Sequence, residues 1–411
     1  MLVAWIRLIT LVVAIALAPA AQETVPGLGA GRTVAPGVLH FTLTEPGLLD
    51  PPAPISVQLL RLDLTQVDLT TDLALGNRQG RATVLSAARR RQAIAAVNAG
   101  FFALHNGDPV GPLRIDGELV SDGTLGRAAA AMIPNGRGGR PAWLFDRAGV
   151  AVAAVLDHGG RIPIDGVDTT RAVGALMLYT PRYGPHSDTA PTGIEWVLER
   201  QAANGGARTS AEGVGATGTV AGYVVKERRW HVGKTPIPRR GLVLSYGGLV
   251  PPAPLDRLAA GDRLTVRETW KPGSGQAADR WRAAADVVSG AGLLRRGGAD
   301  VRDWNVEHLA GAFLGRHPRT MFGIDRDGYA WLVTVDGRQP DVSAGMTLVE
   351  LQRLAKRIGL TDALNLDGGG STTMVIAGTV VNQPSDPTGA RTVSDVLLVL
   401  PRRGAAGAAG R

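Results

Sequence analysis

The 411-residue chain predicts an α+β fold: a single large domain with a mixed, largely antiparallel β-sheet core and a few flanking helices. Apolar–polar alternation and short apolar runs recur along most of it, bounded by turn pairs such as Asp116-Gly117, Asp122-Gly123 and Gly247-Gly248. Glycine (55) and proline (26) supply about a fifth of the residues, which suits many turns and short strands. Helical signals are confined to a few short segments.

Taken in order, residues 55–70 alternate (Val57, Leu59, Leu62, Leu64, Val67, Leu69) and read as one half-buried strand. Residues 83–91 suit a short helix, leading into an apolar strand, 93–97, that ends at Asn98. Residues 110–250 read as a series of short strands. They are interrupted at 202–218, where small and polar residues suggest a surface loop. A short helix is expected over 253–262. The charged, glycine-rich stretch 270–282 precedes a strand at Val287-Val288. A strand follows at 330–335. Thr347-Leu348-Val349-Glu350 is a capping box, in which the threonine covers a free N–H and the glutamate reaches back. Its helix puts Leu351, Leu354, Ala355 and Ile358 on one face and stops at Gly359. Strands are expected at 363–366, 374–376 and 393–400.

The N-terminus carries an apolar run, Leu8 to Ala18, after Arg7 and before Ala18-Pro19-Ala20. The run is too short to span a bilayer and resembles a secretory signal peptide with its cleavage site. The expected organisation is signal peptide 1–20, flexible linker 21–40, one domain 41–402 and flexible tail 403–411. It implies an exported protein, periplasmic or extracellular, with no stable membrane anchor after cleavage.

With no cysteine, thiolate-held metals, disulfides and thiol nucleophiles are excluded. The net charge of +8 comes almost wholly from arginine, since only Lys226, Lys234, Lys271 and Lys356 are lysines. The arginines are scattered and no recognition-helix or RNA-binding pattern accompanies them, so no nucleic-acid partner is expected.

The most informative segment is Asp367-Gly368-Gly369-Gly370-Ser371-Thr372-Thr373, after an apolar strand. Consecutive glycines let backbone N–H groups converge on an anion, and the hydroxyls add donors. Asp367 at the strand end could orient a hydroxyl, act as base or nucleophile, or hold a cation. No lysine follows the glycines, so this is not a Walker loop, and Ser371 lacks a nucleophile-elbow frame. Asn98, placed at a strand end, could contact ligand. His317-Pro318-Arg319 offers a phosphate-competent arginine beside a histidine. Asp336-Gly337-Arg338 closes a strand, and Arg391 follows a polar loop at 382–386. Together these supply carboxylates, arginines and an anion-cradling loop, which suits a phosphorylated or acidic carbohydrate. A divalent cation at Asp367 is permitted, but no ligand spacing demands one and no cofactor is expected.

These residues resemble the phosphodiester glycosidase family. The matching stretches are Asn-Ala-Gly-Phe-Phe (98–102), Leu-Tyr-Thr-Pro-Arg-Tyr-Gly (178–184), residues 237–245, Ser-Gly-Ala-Gly-Leu-Leu (289–294), Arg-His-Pro-Arg-Thr (316–320), Val-Asp-Gly-Arg (335–338), residues 363–374 and Arg-Thr-Val-Ser (391–394). Two departures stand out: Asp395-Val396 where the family more often has Asn-Ala, and Ala291 for a usual glycine. The resemblance implies hydrolysis of a sugar-1-phosphodiester or phosphate-linked glycan to free sugar and a phosphomonoester. It implies Arg319, Gly369, Gly370, Ser371 and Thr372 on the phosphate side, Asp367 and Asp336 as the carboxylates, and Asn98 on a sugar hydroxyl. Gly368, Arg391 and His317 are further substrate contacts. The alternatives are a non-catalytic exported glycan- or anion-binding protein, or an exopolysaccharide-processing factor.

Overall fold

The computed structural model describes residues 23–25, 27–123, 126–136, 139–201, 222–275 and 278–402. The expected signal peptide, the 202–218 loop and the tail therefore lie outside the described residues.

Among the described residues strand outweighs helix, 45% to 11%, so the α+β expectation holds with the sheet dominant; one of the sheets is nearly closed, like a barrel. Among the described residues every strand pairing is antiparallel except that of Gly166–Val167 with Leu176–Tyr179. A twelve-stranded sheet carries the middle of the chain. A nine-stranded sheet orders Val38–Leu43, Val57–Leu62, Ala330–Val335, Arg319–Asp325 and Leu360–Asn365 side by side. A five-stranded sheet sets Ala95–Asn98 between Met374–Ile376 and Asp395–Pro401, with Val67–Leu73 at its edge.

Three expectations give way. Residues 29–35 and 38–43 are strands, with Val38 and Phe41 buried, so most of the expected linker is built into the nine-stranded sheet. The 55–70 segment is two strands in different sheets, separated at Asp63–Gln66, where Gln66 and Val67 N–H donate to the Asp63 carbonyl. Val57–Leu62 is buried on both faces: Val57 and Leu59 join one core, Leu60 and Leu62 another. Alternation there reflects two different cores rather than core and solvent. The expected helix at 253–262 is a single 3-10 turn, Leu255–Arg257.

The helices expected at 83–91 and 347–358 form. In Val84–Arg91, Thr83 Oγ1 accepts the Ser86 N–H. In Leu348–Arg357, Thr347 and Glu350 close the capping box in both directions. Leu348, Leu351, Leu354 and Ala355 of that helix pack on Met321, Trp331 and Ala363 of the nine-stranded sheet. Each buried leucine contributes about 2 kcal/mol through lost apolar hydration. The helix thereby braces the strand that delivers the Asp367 loop.

Candidate active site at the seam of two sheets

Residues 366–373 carry the chain from Leu360–Asn365 of the nine-stranded sheet to Met374–Ile376 of the five-stranded sheet. Asn98 stitches this seam. Its Nδ2 donates to the Asp367 carbonyl (2.7 Å), and its Oδ1 accepts from Thr320 Oγ1 (2.7 Å) and the Thr373 N–H (3.1 Å). It is fully buried, so it holds the loop rather than facing a ligand.

The glycines form a 3-10 turn, Gly369–Ser371. Gly368 lies against the Pro318 carbonyl, where a Cβ would stand 2.5 Å from the oxygen; the Gly369 N–H donates to that carbonyl. Gly369 has φ +59° and faces Arg338, whose Nη2 would be 3.0 Å from a Cβ. Gly370 lies under the Arg391–Asp386 fork, a bidentate pair at 2.8 and 3.0 Å. Ser371 and Thr372 are buried, and Thr372 Oγ1 bonds to no described residue.

The Asp367 carboxyl keeps some solvent access, yet burial pushes it up to about 6, opposed by Ser371, the Gly368 N–H and the positive charges of Arg391 and Arg127. Asp395 lies beside it. Its Oδ1 accepts the Gly100 N–H, while its buried Oδ2 has no partner among the described residues. Burial, then the neighbouring Asp367, pushes Asp395 up to about 7. The two carboxyls form an interacting pair.

Asp336 is placed differently. Its oxygens accept from Ser56 Oγ (3.0 Å), Asn382 Nδ2 (2.9 Å) and the Gln383 N–H (3.0 Å). Burial raises its proton affinity against those bonds. The same Asn382 amide reaches the Thr372 carbonyl, so Asp336 anchors the loop's far side.

Arg319 is buried and spends Nε on the Met346 carbonyl (2.9 Å) and Nη2 on those of Phe313 (2.7 Å) and Gly315 (2.8 Å). Burial, then the Arg338 charge, pulls it down to about 10. Exposed Arg338 meets His317 Nδ1 at 3.4 Å, while His317 Nε2 bonds the Ala312 carbonyl. Arg127, partly buried, lies over the Phe101 ring and feels Glu307 and Asp367. Glu307 is itself held by the Ala128, Gly292 and Leu293 N–H groups. Arg127, Arg319 and Arg338 form no ion pair with a described carboxylate.

The seam thus gathers Asp367, the three glycines, Arg391, His317 and Arg319. It shows Asn98 and Asp336 as fully bonded anchors. Sequence reasoning missed Arg127 and Glu307, which lie far from any recognised motif. It also passed over Arg338, although Asp336-Gly337-Arg338 was in view. Asp395 was visible only as a departure from the family pattern. Among the described residues no group of three or more His, Asp or Glu is arranged to hold a metal ion.

Residues 211–400 match the family model described as phosphodiester glycosidase. The N-acetylglucosamine-1-phosphodiester alpha-N-acetylglucosaminidase of Mus musculus is 40% identical over 68 residues, which cover 16% of this chain and 13% of that protein. This chain therefore aligns with only a small part of that relative. A hypothetical protein from Synechocystis shares the fold (TM-score 0.70, 23% identity, 90% of this chain and 63% of that one). So does a candidate exported protein of Burkholderia pseudomallei K96243 (TM-score 0.67, 25% identity, 85% of this chain and 75% of that one). The match to the phosphodiester glycosidase model thus takes in the Asp367 loop, Arg319, Asp336, Arg338 and Arg391, while Asn98 and Arg127 lie outside it.

Proposed function

We propose that the protein is an exported hydrolase that cleaves the bond between a sugar's anomeric carbon and a phosphodiester oxygen. The observation that carries this reading is the set of guanidiniums without a carboxylate partner, Arg127, Arg319 and Arg338, about a carboxylate that changes charge near neutrality. Phosphate is a good leaving group, so the reaction needs charge stabilisation on the departing oxygen more than a strong general acid. Water adds to the anomeric carbon and gives a proton to Asp367. The C–O bond breaks with its electron pair passing to the phosphate, which leaves as a phosphomonoester. Arg338, beside Gly369, receives the phosphate charge; the N–H groups of Gly368, Gly369, Ser371, Thr372 and Thr373 are already donated to acceptors within the fold. Asn98 and Asp336 position the loop. Export is supported by the apolar run at 8–18 and by the likeness to the Burkholderia protein.

The test is turnover of a panel of sugar-1-phosphodiesters, an N-acetylglucosamine one included, followed by release of free sugar. Asp367→Asn should lower kcat by about 10²–10⁴-fold with its thermal midpoint retained. Turnover of no member by the wild type, or a variant near the wild-type rate, overturns the proposal.

A further inference from the structure

A cavity of about 680 Å³ is walled in part by the turn that follows Phe101–Phe102. This turn is closed by the Ala103 N–H on the Asp108 carbonyl (2.9 Å) and the Gly107 N–H on that of Ala103 (2.8 Å). Ser394 Oγ, next to Asp395, donates to the Gly107 carbonyl (2.8 Å). One loop therefore borders both places, with Gly100 at the carboxyl pair and His105, Asn106 and Asp108 in the cavity wall. None of the cavity's lining residues belongs to the Asp367 loop or to its arginines.

The wall holds polar groups that the fold leaves unused. Gln79 is more than nine-tenths buried; its Nε2 donates to the Val120 carbonyl, but its Oε1 has no partner among the described residues. Half-buried His186 makes no hydrogen bond through Nδ1, which stands 3.9 Å from Asp188 Oδ1. The Tyr183 hydroxyl and the exposed Arg78 guanidinium make no hydrogen bond or ion pair among the described residues. The Arg78 guanidinium and the Tyr183 hydroxyl thus line the cavity with their polar ends uncommitted, and a ligand can bond to them without breaking a contact of the fold. The volume falls in the usual range for ligand sites, about 300–1,000 Å³.

The chemistry narrows the class. Arginine and histidine are balanced by Asp108 and Asp188, so the wall has no single sign to select a polyanion. The Tyr183 ring, 4.7 Å from that of buried Tyr179, offers a supported flat apolar surface. Donors and acceptors of both kinds beside an aromatic face suit the hydroxyls and C–H face of a sugar ring. We propose that this cavity is a binding subsite for uncharged sugar residues, holding the part of a glycan that lies beyond the cleaved bond. The role of that glycan rests on the hydrolase reading; binding itself does not.

The experiment presents full-length protein to an array of neutral, sulfated and phosphorylated oligosaccharides and titrates what is captured. A neutral oligosaccharide should bind. The double variant Arg78→Ala/Tyr183→Phe, which removes two groups without internal bonds, should bind it at least roughly tenfold more weakly with an unchanged thermal midpoint. Capture of no neutral oligosaccharide, capture of charged ones only, or unchanged affinity in the double variant overturns the proposal. A structural role predicts a lowered midpoint in the double variant, which also counts against it. Because capture needs no turnover, failure of the hydrolase reading leaves these outcomes readable.

Discussion

Replacing Asp395 by asparagine separates the carboxyl pair from the fold that holds it. The amide keeps an oxygen for the Gly100 N–H and turns an NH₂ toward the place of the unpartnered Oδ2. In the folded protein burial lifts the Asp395 carboxyl from 3.8 to about 7. Between those values the folded state retains a proton that the unfolded chain has released, so stability falls as pH rises through this window. The contribution is fully present below 3.8 and is lost above about 7. At 1.36 kcal/mol for each tenfold change in proton affinity, the loss approaches ~4 kcal/mol. Asparagine mimics the protonated acid at every pH. The variant and wild type should therefore differ by less than about 1 kcal/mol at pH 4, and the variant should be more stable by up to ~4 kcal/mol at pH 8. Urea unfolding at the two pH values measures this. A difference that is flat with pH, or a wild type that gains on asparagine as pH rises, refutes the argument. Because Asp395 still holds its proton at about 6, where Asp367 changes charge, the variant should leave the acid limb of kcat/KM near its wild-type position.

The two arginines beside the loop should behave oppositely. Arg319→Ala strands the carbonyls of Met346, Phe313 and Gly315 and should lower stability by roughly 2–4 kcal/mol, seen in urea unfolding. Arg338→Ala, exposed and without a carboxylate partner, should leave stability within about 0.5 kcal/mol while lowering kcat/KM by at least tenfold. Gly370→Ala would drive a methyl into the Arg391–Asp386 fork and should lower both stability and turnover; Gly359→Ala, with open space around it, reports the strain of a positive φ alone.

What the sequence revealed follows from how local each signal is. The capping box at Thr347 and the cap at Thr83 depend on residues three apart, so both helices were legible. The Asp367 loop was legible because three glycines between an acid and hydroxyls have few uses. The division of 55–70 between two sheets was not, because Val57–Leu62 alternates between two cores and its pattern looks like any amphipathic strand. Arg319 and Asp336 were identified by chemistry alone. Which of their donors and acceptors are consumed by Met346 or Gln383 is decided by residues many positions away. Arg127 had no local mark at all: its relation to Asp367 exists only once two sheets meet.

The glycines themselves change meaning at that junction. A glycine run in isolation loses more backbone freedom on ordering than any other sequence, about 0.5–1 kcal/mol per residue relative to alanine, which makes it a poor frame for a fixed site. Here each glycine is used for close approach: Gly368 on the Pro318 carbonyl, Gly369 beneath Arg338, Gly370 beneath the Arg391–Asp386 fork. Asn98 then ties the start of the loop to the five-stranded sheet, and Asn382 ties its far side to Asp336. The ordering entropy is thus lost on folding, before any ligand arrives. An anion meeting the loop would find the guanidiniums beside a backbone that needs little further ordering, which is the condition for charge stabilisation to act on the departing phosphate rather than on assembling the site.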